Sequence, residues 1–242
     1  MIAVYLLLGL LGLILLYVGF LGVCALLVDP RREYRKHSRF YRALLNGASA
    51  EALRLLRVRV HVTGLEKLPR GQRLLFVGNH RSNFDPIVQW VALKPWQIAY
   101  LSKAENFKIP IFGRLIRKCC FLSIDRQDPK KAMETIRTAA ELLQSGEVSI
   151  GVYPEGTRSK QCVLLPFHDG VFRIAQKAGA PIAVLAIRGT ERIHKNVLRR
   201  KTEVYLDILN VIPAQEAAAM STHAIGAAVR EALEQTLEAH SK

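Results

Sequence analysis

Two side chains set the chemistry this chain can do: His80 and Asp85, five positions apart in residues 74–86, LLFVGNHRSNFDP. An imidazole with one nitrogen held by a carboxylate keeps the other for a substrate proton, which is how a general base works near neutral pH. On one continuous helix, residues five apart point about 140° apart. Across a turn from strand to helix they can meet, and the stretch reads as such a turn. Residues 74–77 are an apolar run closed by Gly78, the pattern of a strand buried on both faces. Asp85-Pro86 is a helix start, with the carboxylate expected to cap free backbone N–H groups and proline in the first turn. The same spacing also suits a purely structural turn, so the case for chemistry rests on the other strand ends.

Three more strands are predicted to stop at polar residues. A short strand over 98–101 runs into Lys103 and Glu105, where the lysine is placed to meet an anion. A strand over 120–124 ends at Asp125-Arg126, after which Asp128-Pro129 launches a long helix to about residue 145. A strand over 148–153 stops at Pro154-Glu155-Gly156-Thr157-Arg158-Ser159. There a glycine frees the backbone beside a carboxylate, a hydroxyl and a guanidinium, and an arginine fork suits bidentate phosphate binding. Glu155 and Arg158 are also close enough to pair with each other. Strand ends of one parallel sheet share an edge, the edge where open α/β sheets bind ligands. His80/Asp85, Arg126 and Glu155/Arg158 are therefore expected in one site.

The remaining chain must carry that sheet. With 242 residues, half of them hydrophobic, it can bury one full core. Its net charge of +15 points to anionic partners. Nucleic acid is disfavoured, because the aromatics do not interleave with the basic residues as a stacking platform requires. The four cysteines show neither a disulfide framework nor zinc-ligand spacing, which implies buried thiols in a reducing compartment.

Residues 2–28 hold no charge and are long enough to cross a bilayer. They lack the basic start and the cleavage site of a signal peptide. The arginines and lysines of 31–42 follow, which by the positive-inside rule puts the rest of the chain in the cytoplasm. Residues 38–56 form an amphipathic helix that suits either the headgroup layer or the core, with Asn46-Gly47 a point of possible breakage. Residues 57–62 alternate as a half-buried strand with its basic side out, on which His61 is a surface or edge residue and not a ligand. Further on come a helix at 170–177, strands at 182–187 and 203–209, and an amphipathic helix over 214–239 broken near Gly226. His168 and His194 fall in loops and are assigned no role. The basic run Arg192, His194, Lys195, Arg199, Arg200 and Lys201 reads as a solvated loop or as a patch facing membrane or acyl carrier.

These blocks, in this order, resemble the glycerophospholipid acyltransferases, and among them the 1-acylglycerol-3-phosphate (lysophosphatidate) acyltransferases. Asn79, His80 and Asp85 match the NHxxxxD block, and 121–126 the strand ending in a basic residue. Pro154 to Ser159 matches the PEGTRS block in full. Lys103, Glu105, Pro110, Phe112 and Gly113 also look like family features, as do Pro166, Phe167 and Gly170. In a fourth block Val184 stands where the family usually has a second proline, a departure that keeps other acceptors open.

The resemblance implies a mixed, mostly parallel α/β sheet flanked by helices, of the glycerol-3-phosphate acyltransferase type, with an N-terminal membrane helix. The expected layout is a membrane helix over 1–28, a basic interfacial helix over 29–56 and an acyltransferase domain over 57–242. His80 would be the base, oriented by Asp85. Lys103, Arg126 and Arg158 would bind the acceptor phosphate, with Glu155, Gly156 and Thr157 forming that loop. The implied reaction moves an acyl group from acyl-CoA or acyl carrier protein to the sn-2 hydroxyl of lysophosphatidate, with no cofactor and no metal. The implied place of work is a membrane, on its cytoplasmic side. No GxSxG elbow supplies an enzyme nucleophile. The alternatives are another acceptor, such as a lyso-ornithine lipid or lysophospholipid, or a non-catalytic lipid-binding protein.

Overall fold

The computed structural model describes residues 1–197 and 200–239, so Arg199 of the basic run lies outside the described residues. Its centre is a seven-stranded sheet in the order β1-β7-β6-β2-β5-β3-β4. The strands are β1 (Val58–Thr63), β2 (Leu75–Gly78), β3 (Ile98–Ser102), β4 (Leu122–Ser123), β5 (Ser149–Val152), β6 (Ile182–Arg188) and β7 (Thr202–Ile212). Strands β6, β2, β5, β3 and β4 run parallel, and β7 turns antiparallel to β6 and carries β1 with it. The mixed, mostly parallel sheet expected from the sequence is what forms. β2 lies between β5 and β6, and every one of its residues is buried, as its unbroken apolar run requires.

Side chains of β2 alternate between two helical layers. Leu75 and Val77 pack with α5 (Pro129–Gln144), α6 (Arg173–Ala178), α8 (Ala214–Ala219) and α9 (Thr222–Ala239). Leu74 and Phe76 pack with α2 (Arg39–Leu55), α3 (Asp85–Ala92) and α4 (Phe112–Lys118). The Asp128 carboxylate caps α5 as expected, accepting from the backbone N–H groups of Lys130 and Lys131.

Four local expectations are corrected. Helix α2 runs unbroken through Asn46-Gly47, its face of Tyr41, Arg42, Leu45 and Leu53 pinned against the body. The C-terminal break falls at Met220-Ser221, not at Gly226, which is interior to α9 and lies against Asp169 and Phe172. β4 has only two paired residues. Asp85 does not cap α3: Phe84 is the N-cap and Asp85 is already helical, with its carboxylate turned back onto the preceding loop.

Helix α1 (Ile2–Leu26) is one continuous element, and Val4–Leu26 is long and apolar enough to cross a membrane, with a mean hydropathy of 2.6. Nearly all of it up to Phe20 is exposed, whereas Leu21, Cys24, Ala25 and Val28 are buried against the domain. The Tyr41 hydroxyl donates to the Cys24 carbonyl at 2.8 Å, and Arg114 donates to the carbonyls of Ala25 and Val28 at 3.3 Å. A cation on the last carbonyls also suits the negative end of the helix dipole.

Candidate active site

The parallel strands deliver their C-terminal ends to one edge, and β2 delivers His80. Asn79 acts there as an extra peptide unit for β6: its side chain donates to the Ile187 carbonyl at 3.0 Å and accepts from the Ile187 N–H at 2.8 Å. That pins the chain just before it leaves the sheet. The loop then doubles back so that His80 Nδ1 lies 2.7 Å from Asp85 Oδ2. The same oxygen accepts from the N–H groups of Arg81 at 2.6 Å and Ser82 at 2.7 Å. The Thr190 hydroxyl, brought by the end of β6, donates to Asp85 Oδ1. Asp85 is wholly buried, yet both its oxygens are satisfied, which is the condition for keeping a buried carboxylate.

His80 Nε2 has no partner among the described residues, and the side chain keeps 16% of its surface exposed. The ring stacks on Tyr153, with centroids 4.2 Å apart and planes 13° apart, and Tyr153 stacks in turn on Tyr100. Both tyrosine hydroxyls donate to Gln89 Oε1 from α3, at 3.1 Å from Tyr100 and 3.2 Å from Tyr153. Burial raises both phenols well above their ordinary range, and the Asp85 charge adds to the effect. They are neutral supports for the imidazole.

The loop after β5 is stapled to His80 twice. Glu155 Oε1 accepts the His80 N–H at 2.7 Å, and the Ser159 N–H donates to the His80 carbonyl at 2.8 Å. Glu155 Oε2 accepts the Leu165 N–H at 3.0 Å, so both its oxygens are spent on backbone and its part is to shape the loop. Burial raises its carboxyl above the usual range, opposed by those two N–H groups and by His80. Glu155 and Arg158 do not pair. Arg158 and Thr157 are exposed, and Arg158 has no partner among the described residues.

Gly156 has φ +67°, where L side chains are uncommon, and a Cβ there would lie 2.9 Å from the His168 ring and 3.9 Å from Arg126 Cδ. That contact brings Arg126, from the end of β4, to the same loop. Partial burial lowers the Arg126 pKa, and the Glu105 charge opposes the shift. Lys103, just past the end of β3, is exposed without a partner among the described residues. With strands about 4.8 Å apart, β3 and β4 lie ~10 and ~14 Å from β2, within reach of long side chains on an extended substrate.

Sequence reasoning missed Thr190 and Tyr153. Tyr153 is the last residue of the strand expected over 148–153, and Thr190 follows Arg188 and Gly189 beyond the strand expected over 182–187, so strand-end position was their only signal. His168 is an exposed loop residue, as read. His61 is an exposed edge residue beside Glu203, as read. Val184 is fully buried in β6, in register with Val77 of β2, so its departure from the usual proline falls in the core, not at the strand-end edge. Burial pushes the Cys119 and Cys120 thiols up to about 12, which leaves them inert.

A family model described as Acyltransferase matches residues 59–188, from β1 to the last residue of β6, and so spans every residue of the His80 loop and the Pro154–Ser159 loop. The chain belongs to the acyltransferase family. Among curated members, it is 34% identical over 133 residues to a chloroplastic 1-acyl-sn-glycerol-3-phosphate acyltransferase of Brassica napus, over 54% of this chain and 38% of that one. It is 33% identical over 134 residues to the 1-acyl-sn-glycerol-3-phosphate acyltransferase of Bacillus subtilis, over 55% of this chain and 65% of that one. The chain thus spans roughly two fifths to two thirds of the length of these curated relatives. The acyltransferase fold extends further: the crystal structure of the 1-acyl-sn-glycerophosphate acyltransferase PlsC of Thermotoga maritima matches with a TM-score of 0.70 at 26% identity. That match covers 92% of this chain and 88% of that one.

Proposed function

We propose that this chain acylates the sn-2 hydroxyl of lysophosphatidate with an acyl thioester, giving phosphatidate. The observation that carries the reading is the imidazole of His80, held at Nδ1 by a saturated Asp85 and open at Nε2, on the edge that also bears Arg126, Arg158 and Lys103. Similarity to proteins named as acylglycerol-phosphate acyltransferases supports the choice of acceptor. His80 Nε2 takes the proton of the acceptor hydroxyl as its oxygen attacks the thioester carbonyl. The tetrahedral adduct collapses with loss of the thiolate of CoA or acyl carrier protein, and the imidazolium returns its proton to that sulfur. Asp85 stabilises the imidazolium in between, as the aspartate of a serine-hydrolase triad does. The acceptor alcohol is itself the nucleophile, so no acyl-enzyme forms. The cations of β3, β4 and the 154–159 loop hold the phosphate. Helix α1 lies in the membrane, with the domain on its cytoplasmic side.

The test is incorporation of labelled oleoyl-CoA by purified membranes offered lysophosphatidate, lysophosphatidylcholine, lysophosphatidylethanolamine or a lyso-ornithine lipid. If oleoyl-CoA yields no product with any acceptor, the panel is repeated with oleoyl-acyl carrier protein. Product from lysophosphatidate alone is expected, and product from a different acceptor overturns the substrate. His80→Ala should abolish turnover with the protein still in the membrane. Arg158→Ala should raise the KM for lysophosphatidate roughly tenfold or more, the loss of one charge-assisted hydrogen bond. Wild-type silence with both donors leaves a lipid-binding protein without catalysis.

A further inference from the structure

The acyl-transfer reading leaves one groove unexplained, where the last turn of α1 meets the segment leading into α4. It has a volume of about 710 Å³. Gly22, Ala25 and Leu26 form one wall, and Ile109, Pro110 and Ile111 the other. Three cations border this apolar slot: Lys108, Arg114 and Arg117. Arg114 is spent on the terminal carbonyls of α1. The other two are not spent. The Arg117 guanidinium lies 4.8 Å from the centre of the Phe107 ring, and its Nε is buried with no hydrogen-bond acceptor. Lys108 is exposed, with no ion pair or hydrogen bond through its amine among the described residues. The nearest carboxylate in sequence to this wall of α1, Asp29, uses Oδ1 on the Arg31 N–H.

The Arg117 guanidinium makes no ion pair and no side-chain hydrogen bond among the described residues, so its charge is open to a ligand oxygen. The groove lies where the exposed apolar length of α1 ends and the domain begins, which is the depth of the lipid phosphates if α1 lies in a bilayer. An acyl chain suits the apolar walls and a phosphate suits the unspent cations. We propose that this groove binds one anionic glycerophospholipid of the bilayer, its phosphate between Lys108 and Arg117 and an acyl chain along Gly22–Leu26. The site shares no residue with the His80 loop or the 154–159 loop, so its occupant is a resident lipid and not the reacting acceptor. The proposal rests on the membrane placement of α1 but not on the identity of the acceptor.

Native mass spectrometry of the full chain in mild detergent, titrated with phosphatidylglycerol or phosphatidylcholine, tests it. The expected result is a one-to-one phosphatidylglycerol adduct, roughly tenfold weaker with phosphatidylcholine and with the double variant Lys108→Gln, Arg117→Gln. Inorganic phosphate at millimolar concentration should not displace the lipid. Because Arg117→Gln also removes a ring contact, Lys108→Gln alone, at an exposed position, must by itself weaken retention several-fold. Equal retention of both lipids, no loss in the Lys108 variant, or displacement by phosphate overturns the proposal. Recovery in carbonate-washed membranes, measured alongside, reports the anchoring by α1 separately.

Discussion

In the proposed reaction much of the general base lies in residues that never touch a substrate, and Thr190 is one of them. His80 depends on Asp85, and Asp85 has two oxygens to satisfy in a wholly buried position. The loop satisfies Oδ2 with two N–H groups and the imidazole, and among the described residues only the Thr190 hydroxyl reaches Oδ1. Thr190→Val keeps the shape and strands a buried carboxylate oxygen, a cost of about 1–3 kcal/mol. With Asp85 displaced to find water, kcat should fall roughly tenfold or more while the KM for acceptor stays nearly constant, and Thr190→Ser should restore it. Unchanged kcat in the valine variant would show that Asp85 needs no second partner. Glu155→Gln poses the complementary problem, because an amide has one acceptor oxygen and two N–H donors wait for it. One staple must break, lowering both the melting temperature and kcat. The pH dependence has a definite sign. Burial raises the Glu155 carboxyl above its unfolded value, so its contribution to stability is fully present below the ordinary glutamate range and is lost as pH rises through the raised value. Melting curves across that window should fall more steeply with pH for the wild type than for Glu155→Gln.

At the scale of elements, the parts legible in the sequence are those whose signals are local. β2 is an unbroken apolar run, β5 a mostly apolar one that opens on Ser149, and the Asp128-Pro129 start of α5 needs nothing beyond its own first turn. The misreadings share one cause, competition from tertiary partners. Asp85 has the sequence of a helix cap, but His80, Thr190 and two loop N–H groups outbid the helix for its oxygens. Asn46-Gly47 has the sequence of a break, but Tyr41, Leu45 and Leu53 on the same face hold α2 straight. The convergence of strand ends was legible because it follows from parallel topology. The aromatic stack under His80 was not, because Tyr100 and Tyr153 meet only across β3 and β5. Gly151 of β5 makes that stack possible: a Cβ there would lie 2.4 Å from the Tyr100 ring. Gly151→Ala should therefore destabilise the fold by roughly 1–3 kcal/mol, the usual cost of overpacking. It should also lower kcat, since a displaced Tyr100 moves Tyr153 and the imidazole above it. A calorimetric melt and a rate on the same sample separate the two, and an unshifted melt would mean the ring moves aside freely.

The whole molecule divides where α1 changes partner. Up to Phe20 the helix shows its apolar side chains to the outside all round, and from Leu21 it is part of the domain. Water cannot be the partner of that first stretch, since so much contiguous apolar surface marks a membrane or protein contact. The last turn is another matter, because Cys24 and Val28 pack in the core with Tyr41, whose hydroxyl holds the Cys24 carbonyl, and Arg114 closes on the carbonyls of Ala25 and Val28. A truncation after residue 28 would thus damage the body, whereas removal of residues 2–20 takes away the anchor alone. The shortened chain should leave the membrane fraction and melt within a few degrees of the full chain, because nothing buried has been lost. It should still acylate a short-chain, water-soluble acceptor, since the His80 edge is intact, and lose turnover on long-chain acceptor held in vesicles. Retention in washed membranes would mean that α2, with the exposed Phe40 and Leu55, or the basic surface anchors the domain by itself. A collapse in melting temperature would mean that the exposed part of α1 stabilises the sheet, which the division at Leu21 rules against.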